Sequence, residues 1–138
     1  MAVHIIAYKK TGGWEGGWNN IKGDRGGETY KGIARNFHPT WPGWKIVDSN
    51  KPLKNGAIIK DENLERLVLD FYKKEFWDVI GGDKIEDQNT ANTLYDFGVN
   101  AGYGRSISNI QTVLGMAATG KISAELLNRI NNPENYLV

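Results

Sequence analysis

A glycine-rich stretch between residues 12 and 32 most strongly limits how this chain folds. It holds eight of the chain's 17 glycines, and glycine weakens a helix interior because its backbone is unusually free. The glycine pairs at 12–13 and 16–17 therefore end a first helix, which apolar spacing predicts over residues 3–14. Residues 22–31, with Thr29 and Tyr30, predict a short, irregular β-hairpin.

Helical periodicity dominates the rest of the chain. A short helix is predicted over 31–37, and a long one begins at Asp61 and ends at Gly81-Gly82. Three further helices are predicted over 87–100, 106–116 and 123–130, the first of them with an inward face of Ala91, Leu94, Tyr95 and Phe97. Residues 44–60 carry no clear signal. The predicted fold class is mainly α (α+β), with a small β-hairpin element after the first helix.

Length and composition indicate one globular domain over residues 1–138. The chain is 40% hydrophobic and 24% charged, which suits a packed core and argues against disorder. Its net charge of +1 argues against a generic nucleic-acid binder. No apolar run approaches the roughly 18 residues of a membrane span, and we expect a monomer.

The N-terminal residues do not resemble a secretory signal. Lys9 and Lys10 follow the short apolar stretch, whereas a signal peptide places its positive charges first. We therefore expect synthesis in the cytoplasm, followed by release through a holin or a dedicated export route. The absence of cysteine leaves the compartment open.

Two acids and a threonine in the glycine-rich stretch suggest glycosidic bond cleavage. That reaction needs one carboxyl group to protonate the leaving oxygen and a second to activate water or attack the sugar. Glu15, Asp24 and Thr29 are the candidate catalytic residues, and the nearby glycines are expected to leave the backbone open to a sugar chain. Alternatively, Glu15 is a solvated helix-terminal residue, Asp24 forms a turn and Thr29 is an ordinary strand residue.

These residues resemble the N-terminal signature of glycoside hydrolase family 108, the secretion-activating-protein-like N-acetylmuramidases. The signature reads E-G-G followed by D-x-G-G-x-T-x-x-G-I, and it is matched here by Glu15-Gly16-Gly17, Asp24, Gly26-Gly27, Thr29 and Gly32-Ile33. The Glu-x8-Asp spacing is also similar to that of phage-type lysozymes, which place the threonine one residue later. The resemblance implies a lysozyme-like fold and cleavage of the β-1,4 bond between N-acetylmuramic acid and N-acetylglucosamine in peptidoglycan.

The resemblance also implies a functional division of the chain. Residues 1–80 would form a lysozyme-like catalytic half. Residues 81–138 would form a helical, peptidoglycan-binding-like half, because the segments 93–102 and 111–115 are similar to the family's C-terminal part. An enzyme of this kind would degrade the cell wall, acting in the periplasm or wall as an endolysin or a host enzyme.

Aromatic and amide side chains are candidates to bind the glycan, since aromatic rings stack on sugar rings and amides bond hydroxyl and N-acetyl groups. The candidate substrate-binding residues are Trp18, Tyr30, Trp41, Asn100 and Tyr103. For any single aromatic residue, a place in the core is the alternative. The only histidines, His4 and His38, are far apart in sequence and no cysteine joins them, so no metal site is expected. A hydrolase of the resembled family implies no cofactor. The rival function is a non-catalytic cell-wall-binding or secretion-assisting protein with the same fold.

Overall fold

The computed structural model describes residues 1–12, 17–23 and 25–135. Within these residues there are six α-helices and three short strands. The helices are α1 His4–Thr11, α2 Gly43–Ser49, α3 Glu62–Tyr72, α4 Gln88–Ala101, α5 Tyr103–Val113 and α6 Ala124–Asn131. The strands are β1 Trp18–Asn19, β2 Thr29–Tyr30 and β3 Ile33–Ala34, and they form one antiparallel sheet in that order. This architecture confirms the predicted mainly α (α+β), lysozyme-like fold class.

Contacts divide the chain into two compact units. One comprises Met1–Gly12 with Tyr72–Val138, and the other comprises Gly13–Phe71. The first unit therefore contains α1 and α4–α6, and the second contains the sheet, α2 and most of α3. The predicted halves, 1–80 and 81–138, remain a prediction about function. Among the described residues, no helix has both the length and the apolar character that crossing a bilayer requires.

Two helices of the first unit, α4 and α6, begin where the sequence supplies a capping side chain. Asp87 accepts a hydrogen bond from the backbone N–H of Thr90 at the start of α4, and Ser123 accepts one from Leu126 at the start of α6. Such caps satisfy backbone donors that a helix leaves unpaired at its first turn. Gly81, with φ +66°, ends the helical run that begins with α3. That run includes a π-helical segment, Lys73–Trp77, and a 3₁₀ turn, Asp78–Ile80.

The core of the first unit is built around Trp77 and Tyr95, which are both fully buried. The apolar residues packed with them include Ala7, Ile80, Ile85, Ala91, Leu94, Ile107, Leu114, Leu126 and Ile130. Phe97 was predicted to join this face, and that prediction is wrong: its side chain is 40% exposed. The buried face of α4 instead continues through Gly98. Positions 91, 94, 95 and 98 lie on one face of the helix, and position 97 lies outside that face.

The second unit differs from the prediction at its centre. No helix spans 31–37: Lys31 and Gly32 form a two-residue turn between β2 and β3 with φ values of +47° and +83°. Positive φ at both positions is the geometry of a type I′ hairpin turn. A helix absent from the prediction, α2, lies within 43–60 instead. Its side chains Trp44 and Val47 are buried, so packing rather than a local start signal stabilises it.

His4 is a buried histidine in the core of the first unit. It lies 5.2 Å from the ring of Tyr95 and 5.5 Å from that of Trp77, and its Nε2 is 3.2 Å from the Tyr95 hydroxyl. Burial lowers the pKa of His4 to about 4, helped by the charge of Lys73 and opposed by Asp78 and Asp83. His4 is therefore neutral in the folded protein at neutral pH.

We expect the protein to lose stability as the pH falls from about 6.5 towards 4. Below pH 6.5 the unfolded chain protonates this histidine, whereas the folded chain binds the proton only near pH 4. The unfolded state therefore gains protons first, and the loss amounts to about 3 kcal/mol. Urea denaturation at successive pH values measures it. His4→Gln should flatten the profile in this range, and an unchanged slope in that variant would assign the pH dependence to other groups.

Candidate active site

The two candidate catalytic acids, Glu15 and Asp24, lie outside the described residues. The third candidate, Thr29, lies on β2, where it pairs with Asn19 of β1 and Ala34 of β3. Its side chain is half-buried. Because Thr29 occupies the central strand of the sheet, its backbone position is fixed from both sides.

The described glycine of the E-G-G motif, Gly17, is packed against the protein itself. Its φ is +44°, and a Cβ at this position would lie 2.0 Å from the backbone oxygen of Ala57. The backbone N–H of Trp18 donates to that oxygen at 2.7 Å, and Lys31 N–H donates to the Gly17 carbonyl at 2.8 Å. At Gly17, the expectation of a backbone left open for a sugar chain is therefore wrong. The glycine permits close contact between two backbone segments.

A charged cluster centres on Glu28, the residue directly before Thr29. Its carboxylate accepts hydrogen bonds from Trp18 Nε1 and Arg35 Nη1, each at 2.7 Å, and it lies 2.8 Å from Lys51 Nζ. Arg35 also donates two bonds to Asp48, at 2.7 and 2.9 Å. Two acids and two bases thus balance within one network, which connects β1, the β2–β3 hairpin and α2.

The network keeps both carboxylates ionised. Partial burial acts to raise the pKa of Glu28, but hydrogen bonds from Lys51, Trp18 and Arg35 outweigh it and the pKa is lowered. The hydrogen bond from Arg35 likewise holds the pKa of Asp48 well below its usual range. Glu28 is thus charged at neutral pH and unsuited to proton donation. Because Glu28 accepts hydrogen bonds from Trp18 of β1 and from Arg35, directly after β3, we assign it to holding the sheet together.

This network has no recognisable signature in the sequence. Glu28 falls at a variable position of the signature, between Gly27 and Thr29. Its partners Arg35 and Lys51 lie 7 and 23 residues away in sequence. Charged residues at such separations give no local signal, because ordinary solvated surface positions have the same composition.

Trp18 and Tyr30 are cross-strand partners, but their environments differ. Trp18 is half-buried on β1, with its indole N–H fixed by Glu28. Tyr30 is 1% exposed, and its hydroxyl accepts a hydrogen bond from the backbone N–H of Ile59 at 3.1 Å. Tyr30 therefore has a structural role here and presents no ring face to a ligand.

Trp41 is also buried, with 8% of its surface exposed. Its ring meets that of Trp44 edge to face at 5.2 Å, and its indole N–H donates to the Leu67 carbonyl. Trp44 in turn lies beneath the Arg35 guanidinium, 5.2 Å from the ring centre. The predicted sugar contact of Trp41 is at odds with this burial, because aromatic packing occupies the ring.

The remaining substrate-binding candidates, Asn100 and Tyr103, belong to the first unit. Both are exposed, on either side of Gly102 where α4 ends and α5 begins. Asn100 Nδ2 donates to the Asp96 carbonyl at 2.8 Å, and Tyr103 is 46% exposed. The ring of Tyr103 is thus accessible to a ligand. Within residues 1–12, 17–23 and 25–135, no group of three or more His, Asp or Glu side chains is arranged to hold a metal ion.

Comparison with known proteins agrees with this fold. The chain is similar to the solved structure of SagA from Brucella abortus, with a TM-score of 0.61 and 23% sequence identity. The similarity covers 94% of this chain and 68% of the SagA chain. At that identity, it establishes the fold alone.

Sequence comparison assigns the family. No curated protein sequence matches the chain, but the family profile described as Glycosyl hydrolase 108 matches residues 8–102. That span is more than half of the chain and includes the complete signature from Glu15 to Ile33. The match confirms the resemblance found in the sequence and implies a glycoside hydrolase whose substrate is peptidoglycan. The chain therefore belongs to glycosyl hydrolase family 108.

Proposed function

We propose that this protein is a lysozyme-type N-acetylmuramidase, which cleaves the β-1,4 bond between N-acetylmuramic acid and N-acetylglucosamine in peptidoglycan. The observation that carries the proposal is the family match over residues 8–102, because that span contains Glu15, Asp24 and Thr29 at the signature spacing. In this proposal, the enzyme acts at the cell wall and needs no cofactor.

The proposed reaction divides the work between two carboxyl groups. Glu15 protonates the oxygen of the leaving sugar, and Asp24, together with Thr29, positions and activates the attacking water. A glutamic acid that is to donate a proton near neutral pH needs an apolar environment to raise its pKa. The nearest large apolar side chains in sequence are Trp14, directly before Glu15, and Trp18, three residues after it.

The sheet supports the role of Thr29. A hydroxyl that orients a water must itself be held in place, since small displacements sharply reduce the rate. Thr29 lies on the central strand, next to the type I′ turn and directly after Glu28 with its three hydrogen-bonding partners. The charged cluster therefore restricts the strand on which Thr29 lies.

Three exposed or half-buried candidates remain suitable for binding the glycan: Trp18 in the second unit, and Asn100 and Tyr103 in the first. Trp18 and Tyr103 offer ring surface, and Asn100 offers an amide. Tyr30 and Trp41 are better explained as core residues of the sheet and of the α2 region, as their burial indicates.

The sugar at the new reducing end tests the proposed bond specificity. Digestion of purified peptidoglycan, followed by borohydride reduction and mass spectrometry, should give muramitol-ended fragments. Glucosaminitol ends would instead identify a glucosaminidase. The rival function, a non-catalytic wall-binding or secretion-assisting protein, predicts no reducing ends and no loss of turbidity in a cell-wall suspension.

We further expect cleavage with inversion at the anomeric carbon. In phage-type lysozymes the same order of Glu, Asp and Thr places a water between the carboxylate and the sugar. The two catalytic carboxyl groups of an inverting enzyme lie roughly 6.5–9.5 Å apart, whereas those of a retaining enzyme lie about 5–5.5 Å apart. Proton NMR of the earliest product should then show the α-anomer. A β-anomer at first appearance would make Asp24 a nucleophile.

A further inference from the structure

A polar cavity of about 600 Å³ lies in the first unit, between the end of α1 and one face of α4. The residues that line it are Lys10, Thr11, Asn89, Asn92, Thr93 and Asp96. The four from α4 follow the spacing i, i+3, i+4, i+7, so they form one continuous stripe along the helix. Cavities of this volume are typical of small-molecule sites.

The orientation of the Asn92 amide is fixed by a chain of hydrogen bonds. The backbone N–H of Val3 donates to Gln88 Oε1 at 2.7 Å, which identifies the oxygen of that amide. Gln88 Nε2 then donates to the Val3 carbonyl and, at 2.7 Å, to Asn92 Oδ1. Because a backbone N–H only donates, neither amide can be reversed without losing these bonds. The amino group of Asn92 consequently faces away from Gln88.

That amino group lacks an acceptor within the part of the chain that the structure describes. Asn92 is only 7% exposed, and the one hydrogen bond of its side chain among those residues is the bond accepted from Gln88. A buried donor without an acceptor costs free energy. Because Asn92 lines the cavity, a carbonyl oxygen bound there would supply the missing acceptor.

We propose that this cavity binds a secondary amide group of the peptidoglycan substrate. The amide carbonyl accepts a hydrogen bond from Asn92 Nδ2, and the amide N–H donates to the carboxylate of Asp96. Secondary amides occur both in the N-acetyl groups of the glycan and in the peptide bonds of its stem. The substrate class rests on the proposed function. In sequence, Thr11, which lines the cavity, lies four residues before Glu15, the proposed proton donor.

Binding can be measured without catalysis by NMR titration of ¹⁵N-labelled full-length Glu15→Gln protein. The ligands are a tetramer of N-acetylglucosamine, a sugar-free stem tetrapeptide and a tetramer of glucosamine. We expect the first or the second to shift the Asn92 side-chain NH₂ signals and the backbone signals of Asn89 and Thr93. A shift with the acetylated tetramer identifies the glycan as the source, and a shift with the tetrapeptide identifies the stem. The glucosamine tetramer, which has no amide, should leave them unchanged.

Variants test the two hydrogen bonds separately. Asn92→Asp keeps the oxygen that accepts from Gln88 but replaces the amino group, so affinity for the amide ligand should fall about tenfold. The same change at exposed Asn109 on α5 is the matched control and should alter affinity less than about twofold. If Asn92→Asp does not fold, Asp96→Ala at an exposed position should still weaken binding about fivefold.

Failure of this inference is distinguishable from failure of the proposed function. Signals that stay unchanged with both amide ligands, or that move equally with the glucosamine tetramer, would overturn the amide site. Equal affinity of Asn92→Asp and Asn109→Asp would overturn the role of Asn92. By contrast, full cell-wall lysis by Glu15→Gln would overturn the catalytic proposal, while the titration would still report on the cavity.

Discussion

Replacement of Glu15 with glutamine is expected to reduce cell-wall lysis by about 10²- to 10⁴-fold, the usual contribution of a general acid. Glutamine has the same shape as glutamate but carries no transferable proton, so the leaving sugar would depart as an unprotonated alkoxide. Turbidity loss of a cell-wall suspension gives the rate. Thermal unfolding of the same sample should show an unchanged midpoint, which separates lost chemistry from lost folding.

The matched control is Glu86→Gln, the same substitution at an exposed position. It should lyse walls at the wild-type rate, since a solvated glutamate far along the chain from the signature contributes neither charge nor proton to the reaction. If Glu15→Gln lysed walls within a factor of two of Glu86→Gln, another group would have to be the proton donor.

Replacement of Gly17 with alanine is expected to destabilise the protein by about 3 kcal/mol. The new Cβ would lie 2.0 Å from the Ala57 oxygen and 2.8 Å from the Ala57 carbonyl carbon. Both are backbone atoms, so relief requires separating two chain segments. That movement would break the hydrogen bond from Trp18 N–H to the same oxygen. Denaturation in urea, followed by tryptophan fluorescence, measures the loss.

Gly23→Ala provides the control for backbone strain. Gly23 also has a positive φ, +90°, but no atom lies within 4 Å of a Cβ built there. This variant should therefore show the cost of an unfavourable φ, about 1–2 kcal/mol, without the steric term. If Gly17→Ala were no less stable than Gly23→Ala, the close contact with Ala57 would not limit residue choice in the E-G-G motif.

The starts of α3, α4 and α6 were predictable because their signals are local, whereas α5 has no side-chain cap and begins at Tyr103, three residues before the predicted start. Asp61, Asp87 and Ser123 each place a side-chain oxygen within reach of a backbone N–H three residues on, at Leu64, Thr90 and Leu126 respectively. The same residues that cap the helices in the structure mark their beginnings in the sequence. Apolar spacing then gave most of the buried face of α4, with Phe97 as the exception.

The region between residues 18 and 60 was not predictable in the same way. Its elements are very short, and contacts with residues distant in sequence stabilise several of them. The strands have two residues each, too few for an alternating pattern to be recognised. The buried rings of Tyr30 and Trp41 were equally ambiguous, because an aromatic residue has the same sequence appearance in a core and in a sugar-binding groove.

The sequence by itself determined the family, the mainly helical class and the candidate catalytic residues Glu15, Asp24 and Thr29, because a spaced motif survives as a linear pattern. Only the tertiary structure decided which residues distant in sequence meet within each unit. It brought Glu28, Arg35, Asp48 and Lys51 into one charge network, set Gly17 against Ala57, and placed the buried side chain of Asn92 in the lining of a cavity. Each of these depends on atoms from separate segments meeting within about 3 Å, and residue order alone does not specify such distances.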